Sequence, residues 1–471
     1  MTYNEYAELS NAESRVLVDF SLTRIDAQWV NAGAGLWLSD FDNTYSSPVS
    51  IDSSLIPGSW DTIVIGDIGS VQVNYVTYVQ VTNLDDLTTT DASWYWDRTN
   101  GELYLHTLHA INPMTALVEY GELYGYADDS FTPTDSPIFY DGRLLSVPSF
   151  GVSRDPLFFG RLSFPSFTVQ LANGDGHFDS WVTDNDIYGN FCRVRHGYAN
   201  LDYDEYVLMY SGIIEAVEVS EESISVSIVD RRATLTRTVA YSCTDKNALE
   251  AIRELLLESY DYAFTSVFYD TTQWVVSEAS APSVTIDEDD EEVINIIEGI
   301  CVSIFGFFSL TRDGRFTFRF IDTSAAVSDS IPMTDILNRN KITYSPAEVV
   351  SSVEIQYGET ASGYSIYTDT SREADVFGQY RVYNQQSFTT YLPTATAASV
   401  LATSILDYVD EVHGSMEIIS PLRYYELSVG DTVDVEVNRY ASTMLGTVTS
   451  EIISVAYDLS VPNMTIGVRF V

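Results

Sequence analysis

Lysine is nearly absent from this 471-residue chain. Only Lys246 and Lys341 occur, and 23 basic residues in all face 68 Asp plus Glu, a formal net charge of −45. A surface this acidic is repelled by a phosphate backbone, which disfavours general binding along nucleic acid. Cysteine is also scarce: Cys192, Cys243 and Cys301 stand far apart and outside any C-x-x-C pair. An odd count without paired spacing argues against a disulfide scaffold, and the three read as small core residues. There are five histidines, and the one close pair, His106-x-x-His109, has no H-E-x-x-H frame and follows a strand pattern. That supports zinc only weakly. No G-x-S-x-G, P-loop or G-x-G-x-x-G is present, so the common nucleophile and phosphate-binding signatures are missing. No apolar run reaches the roughly 18 residues of a membrane span. The nearest, Val293 to Leu310, is interrupted by Asn295, Glu298, Ser303 and Gly306 and reads as a buried helix with a strand after it. The opening MTYNEYAELSNAESR has neither a basic nor an apolar leader region, so no signal peptide is read there.

Hydrophobic residues make up 45% of the chain and aromatics 13%, with 32 tyrosines. That is enough for real cores, and the length fits several domains of roughly 150 residues each. The periodic stretches are rich in β-branched and aromatic residues, which favours strands. The acidity keeps the chain soluble and resembles adaptation to high salt, where screening removes self-repulsion. An ordinary acidic surface is the alternative.

Residues 1–13 are polar and read as a flexible arm. From 14 to 130 alternating runs such as VLVDFSL, VQVNYVTYVQV and GELYLHT predict an all-β domain, with Asn100-Gly101 as a hairpin signal. ADDSFTPTDSP has the composition of a linker. Residues 138–243 form a second β-rich block that ends in a meander around SEES. Residues 244–343 read as α+β. One helix through KNALEAIRELLLESY is capped by Thr244 or Asp245, and a second opens on the acid run Asp287 to Glu292, where the helix dipole favours carboxylates. A hairpin turns at Asp313-Gly314. Residues 344–471 contain a helix through TATAASVLATSILDYVDEVHG, with Gly414 as its stop, and then strands.

FTVQLANGDGHFDSWVTDND looks at first like a calcium loop. An EF-hand needs acids at positions 1, 3 and 5, Gly at 6 and Glu at 12. Counted from Asn173, Asp175 falls at 3, but His177 is at 5 and Asp184 at 12, so the pattern fails. The preferred reading is a strand, a Gly174-Asp175-Gly176 turn and Phe178 as an anchor. Asp175, Asp179 and Asp184 remain weak candidates for an incidental cation; no cofactor is implied. In WYWD, alternation puts Trp94 and Trp96 on one face and Tyr95 on the other. The two tryptophans are a candidate glycan platform, although such residues in a β-domain are more often core. No carboxylate pair is singled out for catalysis, and no catalytic residue is assigned.

Three stretches carry a resemblance to a known family. FYDGRLLSVPSFGVSRDPLFFGRLSFPSFTVQLANGDGHFD resembles the start of the first barrel in tail-tip and baseplate hub proteins of tailed bacteriophages and related viruses, with its N-x-D-G-x-F-D turn. YSGIIEAVEVSEESISVSIVDRRATL is similar to the meander that follows. AASVLATSILDYVDEVHGSMEIISPLRYYELSVGDTVDVEV resembles the C-terminal hub segment, a helix, a strand and a Leu-x-x-Gly-Asp-x-Val element. ASWYWDRTNGELYLHT is like N-terminal β-domains of such virion proteins. The likeness spans about 14–471.

The resemblance implies a mainly β, multi-domain chain: two hub-type β-barrels (138–243 and 344–471), an N-terminal β-domain (14–130) and a smaller α+β domain (244–343). It implies no enzymatic activity. It implies a homotrimer whose paired barrels form a pseudo-hexameric ring at the virion's tail tip or baseplate. The ring's partners would be tail tube and distal tail proteins, a tape measure protein and a tail fibre or spike, with DNA only in transit. The additional N-terminal domain and the acidity depart from contractile-tail hubs, and the acidity points to a virus of a saline habitat, such as one infecting a halophilic archaeon. Two other readings stand beside this one: a receptor- or glycan-binding tail protein, and a carboxylate-dependent glycoside hydrolase.

Overall fold

A computed structural model describes residues 14–24, 29–33, 36–40, 67–73, 76–77, 79–80, 93–97, 102–106 and 118–131. It then describes 139–471 except for 147–148, 155–161, 164, 180, 182–186, 200, 261, 263, 267, 323–324, 340, 346–347, 361–362 and 438–445. The chain is mainly β, as its alternating runs predict, and has two compact units. One takes residues 15–146 and 168–228, the other 147–167 and 229–471.

The first unit holds a ten-stranded sheet. Its strands run in the order Leu144–Ser146, Ser166–Ala172, Ser223–Val229, Val207–Val219, Phe191–Tyr198, Ser14–Arg24, Val118–Ala127, Asp67–Val73 and Val76–Thr77, with Tyr140–Asp141 pairing on Val118–Ala127. Strands from both sides of the 127–137 segment therefore share one sheet. Alternation decides which face is buried: Ile224, Val226 and Ile228 point inward, as do Val169 and Leu171. A five-stranded sheet has the order Trp29–Gly33, Leu36–Asp40, Glu102–His106, Ser93–Asp97, Val79–Gln80. Its Ser93–Asp97 and Glu102–His106 strands pair antiparallel with Asp97 opposite Glu102; the Asn100-Gly101 turn expected between them lies outside the described residues.

The second unit holds an eight-stranded sheet in the order Val327–Ile331, Thr432–Val437, Gly446–Asp458, Asn463–Phe470, Gly414–Pro421, Asn338–Arg339, with Thr343–Tyr344 pairing on Gly414–Pro421. Its remaining member comes from far upstream: Phe150–Ser153 pairs antiparallel with Gly446–Asp458, Phe150 opposite Tyr457. Gly151 permits that approach, because a Cβ there would lie 2.7 Å from the Val455 carbonyl oxygen.

The same unit carries five α-helices among the described residues: α1 (Ala248–Tyr260), α2 (Thr271–Glu278), α3 (Val293–Ser303), α4 (Glu373–Tyr380) and α5 (Ala395–Val409). Helices α1 and α3 bury Leu249, Ile252, Leu256, Ile296, Ile297 and Ile300 against Trp274, Phe308, Phe316 and Phe318. The Val293–Leu310 run resolves into α3 and the strand Gly306–Leu310, which pairs with Phe316–Phe320 around Gly314 (φ +79°). Helix α5 packs on a three-stranded sheet ordered Gly363–Asp369, Ser352–Thr360, Gln385–Thr389.

Three local expectations are corrected. The cap of α1 is Asn247, whose Oδ1 accepts from the backbone N–H groups of Leu249 (3.0 Å) and Glu250 (3.3 Å). Thr244 and Asp245 instead belong to the strand Thr238–Asn247. The acid run lies on the strand Ser283–Glu292, not on a helix. Val284 and Ile286 point into the core and the strand pairs with Thr238–Asn247, so helical spacing begins only at Val293. Gly414 opens a strand and does not end α5, which is closed by Asp410. A Cβ at Gly414 would lie 2.5 Å from the Phe470 ring, so ring packing accounts for this glycine.

All three cysteines are free; Cys192 and Cys301 are buried and Cys243 half-buried. Among the described residues no helix is long and apolar enough to cross a membrane.

Candidate functional site

The turn after Ser166–Ala172 is closed by its own side chains. Asn173 is fully buried. Its Oδ1 accepts from the Phe178 N–H (2.8 Å), and its Nδ2 donates to Asp179 Oδ1 (2.9 Å) and to the Ser220 carbonyl (2.8 Å). Its backbone N–H donates to the Glu222 carbonyl (2.8 Å). One asparagine thus ties this turn to the Ser220–Ser223 hairpin. Gly176 takes φ +74°, a conformation that suits glycine. Phe178 is driven inward, 5.4 Å from the Tyr126 ring and 5.2 Å from Trp181.

The carboxylates of the turn are already engaged. Arg143 grips Asp175 through both terminal nitrogens, 2.8 and 2.7 Å, while its Nε donates to Asp141 at 2.7 Å. The guanidinium holds the Asp175 carboxyl well below the usual carboxylate range, chiefly through those hydrogen bonds. His177 beside it is pushed down, first by burial and then by Arg143. A cation at Asp175 competes with a bidentate guanidinium, and one at Asp179 Oδ1 competes with the Asn173 amide. Asp184 lies outside the described residues. Among those residues, no group of three or more His, Cys, Asp or Glu side chains is placed to hold a metal ion.

The other two family-like stretches resolve in the same way. The strand Ser223–Val229 ends on buried Asp230, whose Oδ1 accepts from the Arg232 N–H (2.8 Å) and whose Oδ2 accepts from Arg232 Nη2 (2.6 Å). Arg232, buried too, passes Nη1 to the Phe308 carbonyl (2.8 Å). In Leu427–Val433 the glycine of Leu-x-x-Gly-Asp-x-Val, Gly430, stands at φ +89° and donates to the Ile452 carbonyl (2.8 Å). A Cβ there would lie 2.7 Å from the Phe307 ring. Asp431 accepts from the Ser428 N–H (2.7 Å) and pairs with Arg319 (2.5 Å). Each marker carboxylate holds backbone or an arginine in place.

Trp94 and Trp96 lie two residues apart on Ser93–Asp97, with Leu105 and Leu103 as their partners on the neighbouring strand. This is the expected strand setting, and their side chains lie outside the described residues. So do the side chain of His106 and all of His109. What the sequence reading missed is the arginines. Arg143, Arg154, Arg232 and Arg469 each organise a cluster. For Arg143 and Arg232 alone a signal was available, a neighbouring acid in the family-like stretches, Asp141 and Asp230.

No family model and no curated protein matches the chain. Solved structures do. The tail protein from Neisseria meningitidis MC58 is 14% identical, with 69% of this chain and 91% of that one covered and a TM-score of 0.44. The 43 kDa tail protein of prophage MuSo2 from Shewanella oneidensis is 12% identical over 69% of this chain and 92% of its own, TM-score 0.43. Prophage tail protein gp18 from Listeria monocytogenes EGD-e is 11% identical over 68% and 87%, TM-score 0.39.

Proposed function

We propose that the chain is a structural virion protein, the hub of a viral tail. Three copies form a pseudo-hexameric ring that joins the tail tube to the tail tip and lines the DNA channel. In this reading the chain is not an enzyme. Residues 138–243 and 344–471 supply the two hub barrels of each copy, beside the N-terminal β-domain and the α+β domain. Its neighbours are tube, distal tail and tape measure proteins and a fibre or spike.

The observation that carries the reading is the use of polar residues in the three family-like stretches. Asn173, Asp175, Asp230 and Asp431 are engaged with backbone groups and arginines of the same chain. Such residues shape turns and strand ends. They support a protein that works through its surfaces. An acidic channel wall also suits DNA in transit, because like charge keeps the duplex from adhering. Negative-stain images of the purified chain test the proposal: rings with three-fold symmetry are expected, and a monomer that hydrolyses a glycan overturns it.

A further inference from the structure

Four side chains of the second unit form a buried ionic cluster: Arg154 (3% exposed), Glu451 (3%), Arg469 (5%) and Tyr408 (2%). Arg154 follows the strand Phe150–Ser153. Glu451 and Arg469 face each other across the strands Gly446–Asp458 and Asn463–Phe470, and Tyr408 stands in the last turn of α5. Arg154 Nη2 donates to Glu451 Oε1 and to the Tyr408 hydroxyl (2.7 Å), and that hydroxyl donates to Glu451 Oε2 (2.6 Å). Arg469 Nη2 donates to the Tyr408 backbone carbonyl, and its guanidinium carbon lies 3.8 Å from the Tyr408 ring centroid. The Arg154 guanidinium lies 5.5 Å from the same centroid and 5.8 Å from that of Phe307.

Among the described residues the charges do not cancel. Two guanidiniums meet one carboxylate. The helix C-terminus offsets part of the Arg469 charge through its carbonyl. His413, with Nδ1 2.8 Å from the Phe470 carbonyl oxygen, is pushed toward its neutral form by burial and by Arg469, so it adds no further positive charge. Glu411, the other acid acting on His413, is exposed. Three buried N–H positions, Arg154 Nε and Nη1 and Arg469 Nη1, have no acceptor among the described residues. A buried cation with open donors is costly, and a counter-charge that accepts hydrogen bonds relieves both faults.

The complement is a small monovalent anion that only accepts. Water brings no charge. A divalent oxyanion overshoots the charge. We propose that Arg154 and Arg469 hold a halide, chloride in physiological media, as a structural ligand of the eight-stranded sheet. The inference stands apart from the hub reading.

Crystals of the full chain grown with bromide in place of chloride test it. An anomalous peak within hydrogen-bond reach of Arg154 or Arg469 is expected; an ordered water there, without anomalous signal, overturns the proposal. In solution, thermal unfolding is followed in sodium chloride and in sodium methanesulfonate at equal ionic strength. The wild type should gain a few degrees in chloride, saturating as a single site does, and Arg154→Met and Arg469→Met should lose that chloride-specific gain. If neither variant folds, the wild-type comparison decides: equal midpoints in the two salts at every concentration refute the site.

Discussion

Replacing Asn173 by alanine tests whether the turn at 173–179 is held by an amide and not by a metal. The substitution removes three side-chain hydrogen bonds at once. Asp179 and Ser220 are exposed and regain water. The Phe178 N–H is buried and does not, so it bears a desolvation penalty of about 1–3 kcal/mol, with about 1 kcal/mol more for the lost bond to Ser220. A total of about 3 kcal/mol is expected. The damage should also spread, because Phe178 packs in a cluster with Phe20, Tyr126 and Trp181. Asn173→Asp is the sharper variant. It keeps the acceptor for Phe178 but turns the donor into an oxygen facing Asp179 and the Ser220 carbonyl, so it should destabilise more at pH 7 than near pH 3. Urea unfolding followed by circular dichroism gives the size of the loss, and amide exchange at Phe178 gives its place. A loss below about 0.5 kcal/mol, or wild-type stability that rises with calcium and falls with chelator, would refute the reasoning.

Three other outcomes follow from the same structure. Burial pushes the His196 pKa down to about 4, whereas the unfolded imidazole titrates near 6.5, so its contribution is complete above about pH 6.5 and fades by roughly 3 kcal/mol as pH falls to about 4. His196→Gln should flatten that part of the pH–stability curve, and parallel curves for variant and wild type contradict it. Asp230→Ala leaves the Arg232 guanidinium buried beside the Phe308 carbonyl without its carboxylate and should cost about 3–5 kcal/mol in urea unfolding, with an unchanged midpoint as the contrary result. With a net charge of −45, thermal stability should rise from low to molar salt as self-repulsion is screened; a protein no less stable at low salt speaks against a saline origin.

Strands with one buried face were legible because period-two alternation survives in the letters, as in Ser223–Val229, and the Asp313-Gly314 turn carries its own backbone chemistry. The Asn173 turn was legible for the same reason. Partner choice was not. Phe150–Ser153 is four residues long, and nothing local says that its neighbour lies some three hundred residues downstream. The acid run misled because carboxylates suit both a helix start and the solvent face of a strand. Only Val284 and Ile286 on the opposite face separate the two cases. The arginine clusters stayed hidden because an ion pair is formed by the fold: Arg154 and Glu451 stand far apart in the chain and meet only through sheet pairing.

The most direct test of the hub proposal is the mass of the purified full-length chain in solution, measured by native mass spectrometry or sedimentation. The account predicts a closed particle of three copies. A stable monomer at micromolar concentration, in low and in molar salt alike, would contradict it.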